Sequence, residues 1–277
     1  MKLFISADME GTASVCSWAQ VDPSNTAEYP LYRRYMMREV AAAIEGARSV
    51  LPCEILIRDS HWDHRNLLWD ELPTDIRAIT GGPTPLSMNE GIDSSYSGAF
   101  FTGYHGAAGC ASATLSHTYS PETIFQVSIN GTPCSEAILN AALIGYYGVP
   151  LLLISGDRAV VDETTRLMPW VTGAIVKDSI GYYSTNSLTP AASCELIRDS
   201  ARRAVSAASN VRPFTFEPPI ELTIQTMHAA QADFIELLPG FERRDGRTVR
   251  YACDNYVLAF RAFLVATRLG AAANAPA

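Results

Sequence analysis

The chain has 277 residues, enough for one large domain or a large one with a small companion, and its 48% hydrophobic and 18% charged residues exclude an intrinsically disordered polymer. A formal net charge of -8 offers no basic field to a phosphate backbone; Arg33-Arg34, Arg202-Arg203 and Arg243-Arg244 are short clusters on solvated faces, so nucleic acid is excluded as a partner. No run approaches the ~18 consecutive apolar residues of a spanning helix, and Leu3-Phe4-Ile5 is cut off by Asp8 and Glu10 too early for a signal segment, which predicts a cytoplasmic protein without a membrane partner.

In chain order, Lys2 to Ala7 reads as a strand that stops at Asp8. A helix over Leu31 to Leu51 follows, with Met36, Val40, Ile44, Ala47 and Leu51 at helical spacing. Further strands are expected at Glu54 to Ile57, Ile76 to Ile79 and Ala99 to Gly103. Ile124 to Ile129 leads into an Asn130-Gly131 turn, after which Ser135 caps a helix running to Tyr147, with Glu136 in its first turn. Strands at Val149 to Ile154 and Trp170 to Val176 precede a helix opened by Thr189-Pro190 and reaching Ser209.

Strands alternating with helices predict an α/β fold with a mainly parallel sheet flanked by helices. The proline-rich stretch from Asn210 to Pro219 marks a boundary between a catalytic α/β domain (1–211) and a smaller α+β unit (212–277) packed on it and contributing to oligomerisation. That unit reads as a strand (Ile220 to Thr226), a helix (Ala229 to Leu238), a strand (Val249 to Cys253) and a helix capped by Asp254, with a frayed tail from Ala271. The six cysteines are scattered without CxxC spacing and read as free thiols.

Four strands end in a polar cluster: Asp8-Met9-Glu10-Gly11, Asp59-Ser60-His61, Gly103-Tyr104-His105 and Gly156-Asp157. In an open parallel sheet the carboxyl ends of the strands share one edge, so these segments deliver their side chains to one place, and Glu136 can approach the same edge. On a continuing extended backbone Asp8 and Glu10 would point the same way, and paired carboxylates repel unless a cation lies between them. With His61, His105 and Glu136 the set is mixed N/O, suited to zinc or a similar first-row ion. Five ligands exceed one open tetrahedral site; two metals sharing a carboxylate, with Asp8 as the candidate bridge, would use them all. A lone histidine beyond a strand is ordinarily structural. The weight lies in the coincidence that His61, His105 and His117, three of five histidines, fall on or just beyond one edge; His64 lies at the rim and His228 in the smaller unit.

The ordered segments Ser6-Ala7-Asp8-Met9-Glu10-Gly11, Asp59-Ser60-His61, Gly103-Tyr104-His105, Ser116-His117, and Asn130-Gly131 followed by Glu136 resemble the signature of the D-aminopeptidase DppA family of zinc peptidases. Gly156-Asp157 and Val176-Lys177 extend the likeness. The resemblance implies a dinuclear zinc centre, two ions per chain, on Asp8, Glu10, His61, His105 and Glu136, with His117 as a non-ligand catalytic residue. It also implies a ring-like homo-oligomer, a decamer among the sizes considered, and removal of an N-terminal D-Ala or Gly-type residue from short peptides. The chain departs from the pattern at Ser14, Arg58, Gly106 and Ser135, which loses no ligand but leaves L- or β-aminoacyl peptides and amides as alternative substrates.

Zinc lowers the pKa of water from 15.7 to about 7, which suits hydrolysis at neutral pH, and His117 could shuttle a proton to the leaving amine or hold the oxyanion. A serine or cysteine hydrolase using Ser116 or Cys110 is the rival enzyme reading, but no GxSxG elbow is present. A metal-stabilised binding protein is the non-catalytic rival. Gly81-Gly82-Pro83 is too slight for a phosphate loop.

Overall fold

The computed structural model describes residues 1–273. From the N-terminus, β1 (Lys2–Ala7), the single-turn α1 (Trp18–Val21) and the long α2 (Tyr29–Arg48) lead to β2 (Glu54–Asp59), β3 (Arg77–Ile79) and β4 (Gly98–Tyr104). Next come β5 (Ile124–Ile129), β6 (Thr132–Pro133), α3 (Glu136–Tyr146), β7 (Leu151–Asp157), α4 (Arg158–Leu167), β8 (Thr172–Gly181), β9 (Ser184–Ser187) and α5 (Pro190–Ser206). The chain continues through β10 (Ile220–Thr226), α6 (Ala229–Glu236), β11 (Phe241–Arg243) and β12 (Thr248–Cys253) to α7 (Tyr256–Ala272).

The first sheet has strand order β3-β2-β1-β4-β7-β8-β9; its pairings are parallel except that of β9, which returns antiparallel along β8. From β1 the chain builds outward to β2 and β3, then returns to the other side of β1 for β4, β7 and β8. The order therefore reverses between β1 and β4, the topological switch point at which a parallel sheet opens a crevice beyond its carboxyl ends. Asp8 follows β1 and His105 follows β4, so these two side chains flank that crevice from adjacent strands.

Burial on both faces explains why the strands are near-continuously apolar: every residue of β4 and of β7 is buried. Leu3, Ile5, Ile57 and Phe100 pack on one face against Val40 and Ile44 of α2 and Ile197 of α5. Phe4, Phe101 and Ile154 pack on the other with Ile138 of α3, Phe260 and Phe263 of α7, and Ile224 and Val249 of the second sheet. Helices α2 and α5 cross so closely that a Cβ on Gly46 would lie 2.2 Å from the Arg198 carbonyl oxygen. Local signals set the helix starts: Thr189 caps α5 by accepting from the Ala192 amide at 3.3 Å, with Pro190 in the first turn, and Ser135 caps α3 through the Ile138 amide at 3.4 Å.

The second sheet, order β11-β12-β10-β5-β6, is antiparallel. Its hairpin β5–β6 turns at Asn130 and Gly131, both left-handed with φ of 50° and 77°. The boundary expected at 211/212 falls in the link between α5 and β10, while the sheet beyond it also takes in β5 and β6 from earlier in the chain. Three corrections concern elements. Helix α4 and strands β9 and β11 occupy stretches read as connections. Helix α7 is capped by Asn255, which accepts from the Leu258 amide at 3.1 Å, rather than by Asp254. The helix also runs through Ala271 to Ala272, where fraying was expected; positions 274–277 of that expected tail lie outside the described residues. No helix among the described residues is long and apolar enough to cross a membrane.

Candidate metal centre

Strand β1 ends at Ala7, and residues 8–12 turn rather than continue extended, so Asp8 and Glu10 converge by a route the alternation argument did not foresee. The turn is pinned to the next strand: the Asp8 amide donates to the Thr102 carbonyl at 2.8 Å and the Gly11 amide to the Gly103 carbonyl at 2.7 Å. Two glycines permit that approach. A Cβ on Gly11 would sit 1.7 Å from the Tyr104 carbonyl oxygen, and one on Gly103, whose φ is +69°, would sit 2.1 Å from that of Asp8.

Lys177, buried within β8, which runs on to Gly181 rather than ending at Val176, holds the turn from beneath. Its ammonium donates to the Glu10 carbonyl, to that of Val15 at 2.8 Å and to that of Thr12 at 3.2 Å. Burial pulls its pKa down to about 8, against the charges of Asp157, Glu39 and Glu10. The residues beside the expected ligands tie the strand ends together. Ser6 Oγ lies 2.7 Å from both Ser60 Oγ and Tyr104 Oη, joining β1, the end of β2 and β4, and Asn140 Nδ2 donates to Tyr104 Oη at 3.1 Å. The Asp59 carboxylate accepts from the amides of Asn66 at 2.5 Å and Leu67 at 2.8 Å, fixing the loop after His61. Asp157 caps α4 through the Val160 amide at 2.9 Å and accepts from the Gly106 amide at 3.0 Å, so it buttresses His105 from outside the cluster. Arg58 is fully buried and donates to the carbonyls of Ser87 and Gly81 at 2.8 and 2.9 Å, a loop-holding role.

Asp8, Glu10, His61, His105, His117 and Glu136 lie together, none more than 8% exposed. The three histidines share one device: each has a ring nitrogen on a backbone carbonyl, which can only accept, so that nitrogen carries the hydrogen and the other faces the carboxylates. For His61 the anchor is Nε2 to the Val21 carbonyl at 2.7 Å, and Nδ1 lies 2.9 Å from Glu10 Oε2 and 3.5 Å from Asp8 Oδ1. For His105 it is Nδ1 to the Gly106 carbonyl at 3.0 Å, and Nε2 lies 3.5 Å from Asp8 Oδ2 and 3.9 Å from Glu136 Oε2. For His117 it is Nδ1 to the Leu115 carbonyl at 2.8 Å, and Nε2 lies 3.7 Å from Glu136 Oε1 and 3.9 Å from Glu10 Oε1. The His117 ring stacks on that of His105 with centroids 4.2 Å apart, and Trp18 meets it edge-on at 5.3 Å.

Electrostatics follows from this crowding. Burial, then Glu10, pushes the Asp8 carboxyl well above its ordinary range. Burial also raises Glu136, to about 8, against a hydrogen bond from the Tyr119 amide at 2.6 Å. Burial works the same way on Glu10, but His61, with help from His117 and His105, outweighs it and holds Glu10 well below the usual carboxylate range. His61 is the counterpart: burial opposes its charge, yet Glu10 and Asp8 raise it well above the ordinary value. Burial and neighbouring His117 push His105 down to about 3, so its Nε2 is a bare lone pair.

That lone pair and Asp8 Oδ2 face each other at 3.5 Å, and neither has a hydrogen-bond partner. Two buried acceptors aimed at one point cost free energy unless a proton or a metal cation sits between them, and the crowding of Asp8, Glu10 and Glu136 favours the metal cation. Ligand atoms of Asp8, Glu10 and His105, and separately of His105, His117 and Glu136, lie within 4.8 Å of one another, so the residues form two ion-sized triads that share His105. The carboxylate–imidazole donor set suits zinc. His61 belongs to neither triad, its Nδ1 being turned onto Glu10, and His117 belongs to one. His64 lines the same cavity of about 430 Å³, its pKa pushed down to about 4 by burial, while His228 only leads into α6. The roles of Lys177 and Tyr119 escaped the sequence reading; a lysine closing an otherwise apolar strand was the one available signal.

The chain is similar to known proteins over most of its length. A family model described as D-aminopeptidase, peptidase family M55, matches residues 1–265. A D-aminopeptidase of Bacillus subtilis (strain 168) is 34% identical over 273 residues, 97% of each chain. A solved structure, described as the Zn-dependent D-aminopeptidase DppA from Bacillus subtilis, a self-compartmentalizing protease, superposes with a TM-score of 0.93 at 34% identity, over 98% of each chain. The chain therefore belongs to the D-aminopeptidase family of peptidases.

Proposed function

We propose that this metallo-aminopeptidase removes an N-terminal residue of D-Ala or Gly type from short peptides, using two zinc ions per chain held by Asp8, Glu10, His61, His105 and Glu136. The observation that carries the reading is the pair of partnerless acceptors, Asp8 Oδ2 and His105 Nε2, facing each other at 3.5 Å. Zinc, when bound there, acidifies water and polarises a carbonyl.

The chain's own groups supply the rest. The carboxylates of Asp8, Glu10 and Glu136 make an acidic pocket in which a substrate ammonium finds counter-charges. His117, its Nδ1–H committed to the Leu115 carbonyl, presents Nε2 to take up a proton and pass it to the leaving amine. Its stacking on His105 limits ring rotation. Trp18 and Trp62 line the cavity and displace water from its walls. The likeness to a self-compartmentalizing protease supports a homo-oligomer; in this reading it is ring-like and the 212–277 segment contributes to assembly.

The test compares kcat/KM of zinc-loaded protein for D-alanyl and glycyl dipeptides with that for their N-acetylated forms. A site that reads a free amine rejects the capped analogue by about 10⁴ to 10⁵. Equal values would leave a general amidase, and full activity in a strong chelator would remove the metal.

A further inference from the structure

Apart from its histidines, one basic side chain lines the cavity of the candidate centre: Arg268 on α7. It is exposed, and it makes no hydrogen bond or ion pair with any described residue. Other acids on the same walls do not engage it: Asp63 is paired with Arg65, and Glu122 forms no ion pair with it. Arg268 also lines a second cavity of about 680 Å³, which shares His64, Ser87, Tyr119 and Ser120 with the first but includes none of the six residues of the acidic cluster. The walls of this second chamber are largely apolar, with Pro83, Pro85, Leu264, Val265 and Leu269, and carry a second arginine, Arg261, which lines this chamber but not the first. Arg268 thus lines both chambers, whereas Asp8, Glu10 and Glu136 line only the first.

An acid-lined cavity in a chain of formal net charge -8 repels anions away from its metal ligands, and a guanidinium unpaired among the described residues offers an anion a partner on that wall. A short peptide with both termini free carries the matching charges, an ammonium for the acidic end and a carboxylate for the arginine. We infer that Arg268 receives the free C-terminal carboxylate of a di- or tripeptide, and that the apolar chamber beyond it takes an apolar side chain of the leaving residue. The guanidinium fork matches a carboxylate bidentately, which gives orientation as well as attraction. The first cavity's ~430 Å³ falls toward the small end of ligand pockets, about 300 to 1,000 Å³, and suits a substrate of this size. The inference rests on the aminopeptidase reading and names the substrate class of that same site.

The experiment measures kcat and KM of the zinc-loaded protein and of Arg268→Gln and Arg268→Lys for D- and L-alanyl-leucine and for their C-terminal amides. Unfolding temperatures serve as a fold control. The wild type is expected to prefer the free acid by about tenfold, mainly in KM, as a charged hydrogen bond at an exposed site would give. The ratio of acid to amide should fall to about one in Arg268→Gln and recover in part in Arg268→Lys, which keeps the charge but loses the fork. Equal use of acid and amide by the wild type, or a preference that survives Arg268→Gln, overturns the assignment alone. No turnover of any of the four compounds overturns the aminopeptidase reading and the assignment with it.

Discussion

The two sheets treat polar side chains in opposite ways. In the parallel sheet β4 and β7 are buried from end to end, and Asp8, Glu10, His61, His105, His117 and Glu136 lie beyond a strand end or in a loop or helix start nearby. In the antiparallel sheet β10 alternates between buried and half-buried positions, and its charges lie along the wetter face, where Arg250 pairs with Glu221 at 2.6 Å and Glu242 at 3.4 Å. Both sheets contain cations beside anions, but Lys177 is sealed under the Asp8–Glu10 turn whereas Arg250 faces solvent. Desolvation makes the first set of contacts specific and costly to break; water and salt make the second interchangeable.

The sharpest way to break this contrast is inside the centre. His105→Ala is expected to lose bound zinc and all measurable turnover, a loss beyond the ~100-fold in affinity typical of removing an outer partner, because both triads depend on its Nε2. Elemental analysis with assay decides it. His117→Ala should keep metal and fold while kcat falls by about 10² to 10⁴. If it loses metal as His105→Ala does, the triad of His105, His117 and Glu136 is a binding site and His117 is a ligand.

Lys177→Met should lower stability by about 3 kcal/mol, since it strands three buried carbonyls and the nearby charges of Asp157 and Glu39. Arg250→Ala should leave the denaturant midpoint unchanged; a similar loss in both variants would show that burial does not separate the two sheets. A pH dependence follows from the centre's buried acid. Glu136 has its pKa raised to about 8, so below that value the proton it binds competes with a cation. Zinc affinity should therefore fall by at least about tenfold per pH unit as pH drops below about 8, since Asp8 and His61, also raised, bring competing protons of their own. Competition titrations at several pH values would read it.

Much of this was legible from residue order alone. Strands ending in Asp8, His61 and His105 could be read because a strand buried on both faces announces its end by its first charge, and the Asn130-Gly131 turn is encoded locally. Helix α4 was not legible: Val160, Val161, Thr164 and Thr165 are poor helix formers, and Asp157, its cap, resembled one more member of the site. The β8–β9 hairpin runs through Ser, Thr and Asn on an edge, without the apolar alternation that marks a strand. The turn after Ala7 depends on two glycines meeting across β1 and β4, a contact between residues far apart in sequence. Which nitrogen of each histidine faces inward is set by carbonyls of Val21, Gly106 and Leu115, and no spacing rule encodes the first of these.

Glu136 opens α3 directly after the β5–β6 hairpin of the antiparallel sheet, whereas Asp8, His61 and His105 follow strands of the parallel one. The centre is therefore assembled from both halves of the molecule. A chain in which only one sheet has formed lacks part of the constellation, so hydrolytic competence is withheld during synthesis until the halves have docked. Because a ligand that binds only the folded state stabilises it by mass action, the same residues make metal supply a brake on unfolding. Starvation for the ion would then be felt as loosened docking between the sheets as well as lost catalysis.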